Sequence, residues 1–113
     1  MIELTILKYL AEHLEVPVYL EHQEHPPKNF VIFEKLSGGY TNKLNSASFA
    51  FQSYGESMYE TARLNDEVKK AVLDMIELDE FSRIKLNSDY NYTDTSTKRY
   101  RYQAVFDMNY YDI

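Results

Sequence analysis

Arg83-Ile84-Lys85-Leu86-Asn87-Ser88-Asp89-Tyr90-Asn91-Tyr92 and Arg99-Tyr100-Arg101-Tyr102-Gln103-Ala104-Val105-Phe106-Asp107-Met108-Asn109-Tyr110 carry one pattern twice. Even positions are mostly apolar or aromatic and odd positions polar, with Val105 the odd residue that breaks the rule. A period of two sends alternate side chains to opposite faces of an extended chain, so each stretch predicts a strand with one buried face. The intervening Thr93-Asp94-Thr95-Ser96-Thr97-Lys98 is polar and lacks an Asn-Gly or Asp-Gly pair, which predicts a hairpin with a longer, mobile connection. The tyrosines of the even row are then expected on the core side. The odd row, from Arg83, Lys85, Asn87, Asp89 and Asn91 to Arg99, Arg101, Gln103, Asp107 and Asn109, is expected as a polar ladder on the far face.

Working outward, Ile2, Ile6, Leu7, Leu10 and Leu14 recur at helical spacing, opposite Glu3, Lys8, Glu12 and His13. Pro17 ends that helix, and Val16-Pro17-Val18-Tyr19-Leu20 reads as an edge strand, where a missing backbone donor does least harm. Phe30-Val31-Ile32-Phe33-Glu34-Lys35-Leu36 begins as a strand covered on both faces, with Ser37-Gly38-Gly39 expected to end it. Leu44 to Tyr54 alternates Ala47, Phe49 and Phe51 against Ser46, Ser48 and Gln52, and a flexible tip at Tyr40 to Lys43 is expected to join the two strands. From Glu56 the apolar residues Tyr59, Ala62, Leu64, Val68, Ala71, Val72, Met75 and Ile76 follow helical spacing, which predicts a long helix closed by Asp79-Glu80.

The expected order is helix, strand, strand, strand, long helix, strand, strand. That predicts an α+β domain spanning residues 1–113, with one mainly antiparallel sheet of about five strands packed by two helices. A chain of 113 residues buries roughly two-thirds of the surface its unfolded form exposes, enough for one core. No cysteine is present, which removes disulfides, thiolate metal sites and thiol catalysis. The apolar runs fall far short of the roughly 20 residues that span a bilayer, and Glu3 stands where a signal peptide carries base. The expectation is a soluble protein, cytoplasmic when made. Eighteen acidic against twelve basic side chains give a formal charge of −6, which argues against nucleic acid as a specific ligand.

No catalytic constellation emerges. Glu21-His22-Gln23-Glu24-His25 holds two imidazoles and two carboxylates, but its spacing matches no recognised metal arrangement, and Pro26-Pro27 makes the segment a loop. It reads as a solvated strand end, and no metal or cofactor is expected. His13 reads as exposed, no serine sits in a Gly-x-Ser-x-Gly elbow, and Ser37-Gly38-Gly39 lacks the Lys-Ser/Thr ending of a phosphate loop. Lys98-Arg99-Tyr100-Arg101-Tyr102 alternates base with aromatic, a weak signal for single-stranded nucleic acid. Strand geometry divides the arginines from those tyrosines, so the arginines are expected to pair with acidic neighbours or an acidic partner. Eleven tyrosines and six phenylalanines exceed the needs of a small core, and tyrosine suits partner-facing positions.

The layout and several local strings together resemble the tail terminator and minor tail or minor capsid proteins of long-tailed bacteriophages and prophages. The strings are Val16-Pro17-Val18-Tyr19 after a short helix, Phe30-Val31-Ile32-Phe33-Glu34-Lys35 leading to Gly38-Gly39, Ala50-Phe51-Gln52-Ser53-Tyr54-Gly55 running into a helix, and Arg101-Tyr102-Gln103-Ala104-Val105-Phe106. The resemblance implies a non-enzymatic virion protein at the tail end or head–tail junction. It implies a ring, usually hexameric, that caps the tail tube and meets a head-completion or neck protein. No small-molecule substrate or membrane enters that picture. The same layout fits a neighbouring neck protein, and a small non-viral binding module is the other open reading. The residues expected at a subunit or tail-tube contact are Tyr40, Lys43, Arg83, Lys85, Asp89, Arg99, Arg101, Gln103 and Asp107.

Overall fold

The computed structural model describes residues 1–97 and 99–111. Helix α1 (Ile2–His13) leads through a two-residue strand β1 (Val18–Tyr19) into the hairpin β2 (Phe30–Thr41) and β3 (Leu44–Gly55). Helix α2 (Met58–Asp74) follows, with a 3₁₀ turn at Met75–Glu77, and then β4 (Phe81–Asn91) and β5 (Tyr100–Tyr110). The five strands form one sheet in the order β1-β2-β3-β5-β4, antiparallel except for the β1–β2 pair. The expected α+β class and element order therefore hold.

Both helices lie on one face. Ile2, Ile6, Tyr9 and Leu10 of α1 and Leu64, Val68, Ala71 and Val72 of α2 share a core with Phe33, Phe49, Phe51, Ala104, Phe106 and Met108 of the sheet. Spacings of three and four residues put each helix's buried set on one stripe. Tyr59 and Ile76, expected in that stripe, are exposed instead. Tyr59 stands in the first turn of α2 and Ile76 in the 3₁₀ turn that follows it, at the two ends of the pattern. Ser57 caps α2: its Oγ accepts the Glu60 amide at 3.1 Å, while its carbonyl accepts the Thr61 hydroxyl at 2.7 Å.

The strand end and the helix start meet closely at Gly55. A Cβ there would stand 2.5 Å from Thr61 Oγ1 and 3.1 Å from the Thr61 amide nitrogen. Gly55→Ala is therefore expected to lower stability by about 1–3 kcal/mol through overpacking. A urea midpoint equal to that of wild type would contradict this.

Two expectations about β2 are corrected. Ser37-Gly38-Gly39 does not end the strand, because a bulge between Lys35 and Ser37 absorbs one residue and pairing continues to Thr41↔Leu44. The flexible tip is a two-residue turn at Asn42 and Lys43, with φ of 54° and 65°. That conformation matches the strand twist, and asparagine tolerates it. The 44 Å long axis of the molecule matches twelve-residue strands at about 3.3 Å per residue.

Candidate functional site

Among the described residues no helix covers the second face of the sheet. Strand register assigns its residues: Phe30, Ile32 and Glu34 on β2 lie opposite Tyr54, Gln52 and Ala50 on β3. Those in turn lie opposite Arg101, Gln103 and Val105 on β5. Phe30, Ile32 and Tyr54 are buried in a small second cluster against Tyr19, and the Phe30 and Tyr54 rings stack at 4.6 Å. His22, in the segment after β1, meets the Tyr54 ring edge-on at 5.8 Å.

From this cluster a ladder of rings and guanidiniums crosses the sheet. Arg101 lies 5.7 Å from the Tyr54 ring centroid and 4.3 Å from that of Tyr92, which itself meets Tyr90 at 5.8 Å. Beside it a hydrogen-bonded chain runs from β3 to β4. Gln52 Nε2 donates to Gln103 Oε1 at 2.8 Å, and Gln103 Nε2 donates to the Tyr90 hydroxyl. Further along the face Ser48 Oγ and Asn87 Nδ2 both donate to Asp107, at 2.6 and 3.0 Å. Small residues on β2 and β3, among them Ser37, Gly39 and Ser46, leave a trough of about 400 Å³ there, closed by Arg83, Asp107 and Asn109.

The residues expected at a contact divide between the two faces. Arg83 and Lys85 lie on the open face opposite Asn109 and Asp107. Arg99, Arg101, Gln103 and Asp107 join them there. Asp89 does not. A bulge between Leu86 and Ser88 inserts one residue and reverses the alternation, so Asp89 falls opposite Ala104 and Asn91 opposite Tyr102, on the helix side. Asp89 accepts Asn65 Nδ2 at 2.7 Å and Lys69 Nζ at 2.5 Å, tying β4 to α2. Its hydrogen bond is the main cause that raises the Lys69 pKa. Tyr40 is also on the helix-side row, two-thirds exposed near the hairpin tip, and Lys43 occupies the turn itself.

The same bulge brings out what the period-two pattern missed. Tyr90 and Tyr92 move to the open face and are exposed, so the aromatic row of β4 is not core. Ser88, a polar residue in an otherwise apolar row, is the mark of that shift in the sequence. The arginines also depart from the expected pairing with acidic neighbours. Among the described residues neither Arg99 nor Arg101 pairs with a carboxylate. Rings from β2, from β3 and from Tyr92 just past β4 flank them instead, while Tyr100 and Tyr102 face the helices. Glu21, His22, Glu24 and His25 are exposed, and no three His, Cys, Asp or Glu side chains converge on a metal position among the described residues. No helix of the described residues is long and apolar enough to cross a membrane.

Hydrogen bonds from Ser48, then from Asn87, hold the Asp107 carboxyl below its usual pKa, helped by the positive charges of Arg83 and Lys85. A depressed carboxyl contributes stability that is full above the unfolded value, about 3.9, and is lost as pH falls through the folded value. Asp107→Asn is expected to flatten the acid limb of unfolding free energy against pH below about 4 and to leave the neutral-to-alkaline slope unchanged. An unaltered acid limb would show that Asp107 carries none of it.

No family model and no curated protein matches the chain.

Proposed function

We propose that this protein is a structural subunit of a long-tailed phage or prophage particle. It assembles as a ring, six subunits in the expected case, on the end of the tail tube, stops tube growth and joins the tail to the head through a neck protein. It works at the tail end of the virion after synthesis in the host cytoplasm, and the reading assigns it no catalytic step.

The observation that carries this reading is the open, pre-ordered sheet face. Its polar and aromatic side chains are already fixed by cross-strand hydrogen bonds and stacking, so less rotamer freedom remains to be lost when a partner docks. Arg83, Arg99 and Arg101 and the exposed Tyr90 and Tyr92 lie there, of the residue types that dominate contact energies. The sheet also has two different free borders. Among the described residues β1 pairs with Val31 and Ile32 alone, so the rest of β2 has one open side, and β4 is the opposite outer strand. Two unlike borders on one subunit suit the head-to-tail contact that closes a ring. The layout and strings of the sequence that resemble tail terminators supply the tail tube as the partner.

The test is a tube-assembly reaction with purified tail tube protein. Adding this chain is expected to shorten and narrow the tube length distribution in electron micrographs, with one ring visible at capped ends. An unchanged length distribution at molar excess over tube ends would refute the assignment.

A further inference from the structure

A separate cleft opens at the aromatic end of the face, lined by His22, Tyr54, Asp94, Thr97, Arg99 and Arg101 and enclosing about 280 Å³. Two of its walls are guanidiniums held in place from behind. Arg101 donates through Nε to the Tyr92 carbonyl at 2.9 Å and through Nη1 to the Tyr54 hydroxyl at 3.1 Å, with its plane over the Tyr92 ring. Arg99 lies 5.2 Å from the Phe30 ring centroid and 5.8 Å from that of Tyr54. Its Nη2 is buried and has no hydrogen-bond partner among the described residues.

Ring faces stabilise a cation's charge, but they do not accept its in-plane N–H groups. A buried donor without an acceptor is costly, and Arg99, which carries one, lines the cleft beside Arg101. The acid in the cleft wall does not supply the acceptor. Asp94 Oδ1 accepts the amide and hydroxyl of Ser96 at 3.0 and 2.7 Å, within its own turn. Those bonds, the Ser96 hydroxyl first, keep the Asp94 carboxyl ionised to lower pH than usual.

We propose that this cleft binds one carboxylate, presented by an acidic side chain or by a free chain end, between Arg99 and Arg101. Among the described lining residues two guanidiniums face one ionised carboxyl, leaving one positive charge in a chain of formal charge −6. A carboxylate neutralises that charge and offers the two oxygens that suit a guanidinium fork. A phosphate dianion would leave negative charge uncompensated against Asp94. The site stands independently of the ring assignment, because it is built within one subunit.

The test is titration of the wild-type protein with two probes, followed through the Arg Nε–Hε resonances. N-acetyl-glutamate α-amide carries only a side-chain carboxylate, and N-acetyl-alanine only a terminal one. Saturable shifts at Arg99 and Arg101 are expected, the tighter probe identifying the source, with inorganic phosphate at equal ionic strength at least about tenfold weaker. Arg99→Gln is expected to weaken binding at least about tenfold, the loss of one charge-assisted hydrogen bond. Arg99→Lys keeps a cation over the Phe30 ring and is the variant read if the first does not fold; it too is expected to bind more weakly. Shifts that never saturate, phosphate binding as tight as carboxylate, or Arg99 variants that bind like wild type would each overturn the proposal.

Discussion

The triple variant Arg83→Ala/Lys85→Ala/Tyr90→Ala is expected to fold and to lose tube capping. All three side chains are exposed on the open face of the outer strand β4, so removing them opens no cavity in the main core. Tyr90 gives up the hydrogen bond from Gln103 and the edge contact with the Tyr92 ring, and the total cost to stability is expected to be about 1–2 kcal/mol. At a contact the balance differs, because a desolvated tyrosine can account for about 2 kcal/mol or more of binding. The concentration needed to halt tube growth should therefore rise by at least about thirtyfold, while circular dichroism and urea midpoint stay close to wild type. Capping at the wild-type concentration by a folded triple variant would remove this strand from the contact.

Phe51→Ala is expected to have the largest effect on folding. Phe51 is fully buried on the central strand β3, and its ring meets Phe33 at 5.5 Å, Phe49 at 6.4 Å and Phe106 at 5.8 Å. One side chain thus joins β2, β3 and β5 under the helices. Truncation removes a ring from the centre of the core and leaves a cavity that the paired strands cannot collapse around, costing about 3–5 kcal/mol. Set against a total stability of about 5–15 kcal/mol, that is enough to leave the variant partly unfolded near body temperature. Thermal unfolding that shifts by less than about 4 °C would show that the core relaxes around the gap.

How much of this was legible beforehand depends on the range of the interaction. Helix α1, the faces of β3 and the long helix follow from periods of 3.6 and 2, because those patterns arise from the local geometry of each element. The α+β class follows from their order. The run of β2 through Gly38 and Gly39 was not legible, since glycine ends a strand by itself but continues one when a partner such as β3 supplies the hydrogen bonds. The turn at Asn42-Lys43 was equally hidden, because lysine at positive φ is a local cost that the paired strands outweigh.

The sequence alone determined that this chain makes two helices and one mostly antiparallel sheet, and that its aromatic residues outnumber what a core of this size requires. Only the tertiary structure decided which of those aromatics are core. One inserted residue between Leu86 and Ser88 turns Tyr90 and Tyr92 outward and Asp89 and Asn91 inward. Ser88 alone marks the bulge in the sequence, and the pairing with β5 sets the faces of the residues around it. The cleft between Arg99 and Arg101 has the same origin. Its rings come from β2, from β3 and from Tyr92 beyond the end of β4, whose adjacency is a property of the sheet and of no single segment.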